Sequence, residues 1–110
     1  SNTPLQALTL LNDPFFNEAA QKLGQWAVEQ KKEEAQTVKV LFKKCLSRPP
    51  DQQEQMALRG FYQKQLNRFK AGELEAEKIA GKGGGEVNQR AAWTALARVI
   101  LNTDEFITRN

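Results

Sequence analysis

Near one end the chain reads Leu10-Leu11-Asn12-Asp13-Pro14-Phe15-Phe16, and near the other Ile100-Leu101-Asn102-Thr103-Asp104-Glu105-Phe106. Each phrase is an apolar helix tail, an asparagine able to stop a helix, a capping residue and a phenylalanine that turns the chain back toward a core. Corners built on one plan at both ends restrict the chain to short helices joined by tight turns. They carry no chemistry.

Between these corners the apolar residues recur at helical spacing. Thr3-Pro4-Leu5-Gln6 has the form of a capping box with proline at the first helical position, which predicts a first helix from about Pro4 to Leu11 burying some of Leu5, Leu8 and Leu11. Asn12 ends it, Asp13 caps the next helix and Pro14 opens it. Phe15, Phe16, Ala19, Ala20, Leu23, Trp26 and Ala27 form that helix's apolar stripe, with Glu18 and Lys22 paired on its wet side. Gln30 to Glu34 reads either as a linker or as continuing helix. A third helix carries Val38, Leu41, Phe42, Cys45 and Leu46, and Arg48-Pro49-Pro50-Asp51 stops it. Asp51 with Glu54 is a second capping pattern, opening a fourth helix with Leu58, Phe61, Tyr62, Leu66 and Phe69 inward.

From Ala71 to Asn88 the period fails among Gly72, Gly81, Gly83, Gly84 and Gly85, which predicts a flexible surface excursion over about 71–88 with a short helix at Glu73 to Ile79. Periodicity resumes at Gln89 with Ala92, Trp93, Leu96, Val99 and Ile100, Asn102 stops it, and a last turn at Asp104 to Thr108 returns Phe106 and Ile107. No segment alternates with period two. The expected fold is all-α: a small orthogonal or irregular bundle of about five helices with short capped corners and one Gly-rich loop, forming a single domain over 1–110. A chain of 110 residues can bury roughly two thirds of its unfolded surface, enough for one core. Its first residue is Ser1, and we read it as a C-terminal fragment of a longer protein.

Composition narrows the chemistry. With no histidine, the usual general base near neutral pH and every Ser-His or Cys-His nucleophile are missing. Cys45 is the only cysteine, which excludes an internal disulfide, a thiolate zinc site and a CxxCH haem attachment. No apolar run approaches the roughly 18 residues of a membrane span. A net charge of +3 is too slight to mark a nucleic-acid binder by itself.

The remaining candidates read as structural. Arg48 could bind an anion, but at a helix corner it more naturally holds carbonyls or pairs with Asp104 or Glu105. Cys45 falls on an apolar stripe, and Trp26 and Trp93 lie among alanines, as core residues do. Gly81-Lys82-Gly83-Gly84-Gly85 lacks the phosphate-loop spacing and follows no strand. The carboxylates lie among lysines or at helix ends, as charges on solvated faces do. The expected site list is therefore a set of corner residues, Asn12, Asp13, Pro14, Arg48, Pro49, Asn102, Asp104 and Phe106, with no catalytic, cofactor or metal residue.

Three motifs resemble a known family. Asn2-Thr3-Pro4-Leu5-Gln6-Ala7-Leu8-Thr9-Leu10-Leu11-Asn12-Asp13-Pro14 is similar to the signature of a planctomycete-specific domain of unknown function, found at the C-terminal end of large proteins that usually also carry a cytochrome-c-like domain and a second uncharacterised domain. Leu41-Phe42 through Leu46-Ser47-Arg48-Pro49-Pro50 to Glu54 looks like its helix–LGRxP–helix corner, with Ser47 where the family more often has glycine. Ala91 to Ile107 is similar to its ending. The resemblance implies an extracytoplasmic setting, periplasmic or at the cell surface, and haem, if any, elsewhere in the full-length protein. The expected function is a non-catalytic structural and interaction module of an exported, redox-associated multidomain protein. Its partners would be upstream domains of the same polypeptide, or a second copy. The alternatives are a nucleic-acid-binding domain, with helices three and four as a helix-turn-helix, or part of a ligand or catalytic cleft completed by upstream sequence.

Overall fold

A computed structural model of the chain describes residues 13–103 and 106. Asn12, Asp104, the helix expected at Pro4–Leu11 and all of the last turn except Phe106 lie outside the described residues. Five helices follow one another: α1 (Pro14–Glu29), α2 (Glu34–Leu46), α3 (Gln52–Lys70), α4 (Ala76–Ala80) and α5 (Val87–Leu101), with no strand among the described residues. The all-α reading holds.

The caps are where local chemistry puts them. Asp13 Oδ1 accepts from Phe15 N at 2.8 Å, with Pro14 at the first helical position of α1. Asp51 and Glu54 form the full capping box of α3: Glu54 N donates to Asp51 Oδ1 at 2.8 Å and Asp51 N to Glu54 Oε1 at 2.9 Å. The charged stretch after α1 is a short linker, with Lys31 at φ 53. α5 begins two residues before the expected Gln89, because Glu86 accepts from the amides of Asn88 and Gln89 and adds a turn that periodicity does not mark.

α5 is the axis. α1, α3 and α4 all pack on it, α1 most extensively. Its buried residues include Ala91, Ala92, Trp93, Thr94, Leu96, Ala97, Ile100 and Leu101, covering most of its circumference, as in a helix enclosed on several sides. Trp93 stacks on Tyr62 of α3 with ring centroids 3.7 Å apart. α1 presents Ala20, Gly24 and Ala27, a row of small residues at i, i+4 and i+7. At Gly24 the two helices approach so closely that an added Cβ would stand 2.9 Å from Thr94 N and 3.0 Å from Thr94 Cα. Leu41, Val38, Leu96 and Ile100 are fully enclosed, each contributing about 1.5–3 kcal/mol of transfer free energy.

Two stripe residues do not face the core. Phe15 is 80% exposed and Val99 41%. Each sits about 100° around its helix from a buried neighbour, Phe16 and Ile100, at the flank of the apolar arc.

Candidate functional site

The corner between α2 and α3 is an ion-paired clasp. α2 ends at Ser47, which takes the left-handed conformation (φ 63, ψ 24) without being glycine. The chain then turns through Pro49 and Pro50, and Arg48 reaches forward. Its Nη1 and Nη2 donate to Glu54 Oε1 and Oε2 at 2.9 and 2.8 Å, a bidentate pair, and Nη1 also donates to Pro49 O at 3.2 Å. The guanidinium also lies 4.9 Å from the Phe42 ring centre. Arg48 thus holds the Pro49 carbonyl and pairs with Glu54, while Asp104 and Glu105 lie outside the described residues. Hydrogen bonding from Arg48 first, and from the Asp51 amide second, pulls the Glu54 carboxyl down to about 2. Glu34 closes the other end of the pair, accepting from Arg59 Nε at 2.9 Å and Gln63 Nε2 at 2.8 Å.

A second constellation, which no motif or spacing marks, centres on Arg90. Arg90, only 4% exposed, donates from Nη1 to Gly84 O at 2.7 Å and from Nη2 to Gly81 O at 2.9 Å. Gln25 Oε1 accepts from Gly84 N at 3.1 Å, and Gln21 Nε2 donates to Ile79 O at 3.1 Å, so α1 also grips the loop. Gly81 and Gly85 adopt φ 68 and 79, which aims successive carbonyls inward. A phosphate-binding loop does the opposite and presents N–H groups to its ligand. Here the interior of the loop is electronegative, and Arg90 supplies the compensating charge.

Other candidates resolve individually. Cys45 is buried, and loss of water pushes its thiol up to about 11 against the opposing charge of Lys44, so it stays protonated at neutral pH. Burial is also the largest cause of the raised Tyr62 pKa, followed by the charges of Glu34 and Glu86. Trp93 is core, whereas Trp26 is half-buried with Lys44 Nζ 4.6 Å from its ring centre, tying α2 to α1. An open trough between α1 and the loop is lined by Glu18, Gln21, Gln25, Trp26, Glu29 and Lys82, but both glutamines are already engaged. No group of three or more potential metal ligands occurs among the described residues. No helix there is long and apolar enough to cross a membrane.

The structure keeps the expected corner residues at three separate places. Asp13 and Pro14 start α1, Arg48 and Pro49 form the clasp, and Asn102 caps α5 with φ −93, outside the left-handed region. Phe106 is half-buried, and its N–H donates to Thr103 Oγ1 at 3.3 Å. A family model described as a protein of unknown function (DUF1553) matches residues 1–62, more than half of the chain. No curated protein and no solved structure matches.

Proposed function

The chain belongs to the DUF1553 family of proteins of unknown function, and from that membership we propose that it acts as a non-catalytic helical module that packs on, and positions, other domains of a longer polypeptide. One observation carries the reading. The side chains with most chemical potential serve the fold: Arg48 is clasped by Glu54, Arg90 fills the glycine loop, and Cys45 is a buried, protonated thiol. Such groups fix the relative placement of helices, which a positioning module requires. The setting proposed with it is a planctomycete protein, exported beyond the cytoplasm, with haem in a separate cytochrome-c-like domain. The three sequence motifs support that setting.

Lys39, Lys43, Lys64, Lys70, Lys78 and Lys82 are exposed on four different segments and serve as probes. Amine labelling is compared between the chain alone and the parent polypeptide. One contiguous group of these lysines, protected severalfold in the parent, is the expected result. Equal labelling of all six in both contexts overturns docking, and turnover by the chain alone overturns the non-catalytic half. In the nucleic-acid alternative the corner arginine would have to leave Glu54 to reach a phosphate. Retardation of random duplex DNA at low salt would favour that alternative instead.

A further inference from the structure

On the outer side of α2 a run of positive charge goes uncompensated. From Ala35 to Pro50 the sequence holds no Asp or Glu, and Lys39, Lys43 and Lys44 stand exposed along it. Gln36, Lys39, Val40 and Lys43 share the arc of the helix opposite buried Val38, Leu41 and Cys45. Lys39 and Lys43 are one turn apart, with Cβ atoms about 5–6 Å from each other, a spacing at which like charges repel. No acid lies three or four residues from any of the three lysines, and no ion pair reaches them among the described residues. Elsewhere the sides of the fold carry matched charges: Lys22 with Glu18, Arg59 with Glu34, Arg68 with Glu73 and Lys78 with Glu75. The negative end of the α2 dipole favours Lys43 and Lys44, and Lys44 also lies over the Trp26 ring. Nothing offsets Lys39.

We propose that this face of α2 docks an acidic segment of the parent polypeptide, with carboxylates spaced to meet Lys39 and Lys43 together. The inference rests on the positioning reading above and names the docking face and the chemistry of its partner. Charge complementarity selects the occupant. Two carboxylates one helical turn apart relieve the repulsion between the lysines and form two ion pairs, with half-buried Val40 beside them. A second copy meeting the same face would set lysines against lysines. An extended polyanion is a poorer match, because exposed Glu33 and half-buried Glu34 stand at the other end of the same 13-residue helix. A duplex site typically engages about 6–10 phosphates, more than this face can reach.

Zero-length carbodiimide coupling in the parent polypeptide tests it, since an amide forms only where an ammonium and a carboxylate already touch. Lys39 and Lys43 should couple to Asp or Glu outside residues 1–110, severalfold more than the exposed controls Lys64 and Lys70. Lys39→Glu places an acid four residues before Lys43, the order that suits a helix, so the variant should fold. It should cut the coupling of Lys43 to outside acids severalfold. Coupling of Lys39 and Lys43 no greater than that of the controls, or coupling of Lys43 unchanged by Lys39→Glu, would overturn the inference. Amine protection and coupling centred on Lys64, Lys70 or Lys78 would keep the positioning reading and overturn this one alone. Binding of anionic phospholipid vesicles or random duplex DNA, weakened by Lys39→Glu, would assign the face to another partner and overturn it as well.

Discussion

Gly24 and Gly60 are both helical glycines, and alanine should have opposite effects at the two. At Gly60, on the exposed side of α3, an added Cβ meets nothing within 4 Å. Alanine there recovers the helix propensity that glycine forgoes, about 0.8–1 kcal/mol. At Gly24 the same propensity gain is opposed by Thr94, whose N and Cα would lie 2.9 and 3.0 Å from the new Cβ, with Oγ1 in the way as well. Rotating the Thr94 side chain gives up its 2.8 Å bond to Arg90 O and still leaves backbone facing backbone. The helices must then separate, and overpacking of this kind costs about 1–3 kcal/mol or more. Because α1 and α5 share the largest packing in the fold, we take the upper end and expect a net loss of about 2 kcal/mol. At roughly 4–8 °C per kcal/mol for a domain near this size, Gly24→Ala should lower Tm by about 10 °C and Gly60→Ala raise it by about 4 °C. Thermal melts followed by circular dichroism at 222 nm read both. A Gly24→Ala variant as stable as the parent chain would refute the close crossing.

Three other outcomes follow from the corner and the loop. Arg90→Met removes the donors that hold Gly81 O and Gly84 O, and losing even one charged hydrogen bond of about 1.5–3 kcal/mol should speed tryptic cleavage after Lys82 roughly tenfold or more; unchanged cleavage would mean that Arg90 does not hold the loop. Ser47→Gly relieves a left-handed residue of its Cβ and should stabilise the chain by about 1 kcal/mol in urea unfolding; a loss would show that the Ser47 conformation carries no strain. The Glu54 carboxyl is lowered from 4.5 to about 2 in the folded chain, so its contribution is full above pH 4.5 and lost as pH falls toward 2. Glu54→Gln should therefore flatten the fall of stability across that window, and an unaltered slope would remove the Arg48–Glu54 pair from the acid response.

What could be read from the residues was what is decided locally. Asp13 and Asp51 cap because each lies directly before its helix and can reach amides two or three residues on. Cys45 and Trp93 lie on stripes that determine their burial. Phe15 and Val99 stay exposed although they fall on apolar stripes, because periodicity sets direction around a helix but not how far the neighbouring helix extends beside it. Gly24 reads as an ordinary helix-weakening glycine until Thr94 comes across from α5. Arg90 lies off the apolar stripe that marked its helix. Its role appears only once the preceding glycines fold back and aim their carbonyls at it. The short helix expected at Glu73–Ile79 forms at Ala76–Ala80, where Ala80 is buried in the core.

Native-state hydrogen exchange tests most directly whether α5 is the axis that the other helices and the polar clasps exist to hold. Its amides between Ala92 and Leu101 should exchange only through global unfolding, with opening free energies equal to that from urea denaturation and the slowest rates in the chain. Exchange in α5 as fast as in the five-residue α4, or through a sub-global opening that leaves α1 protected, would contradict it.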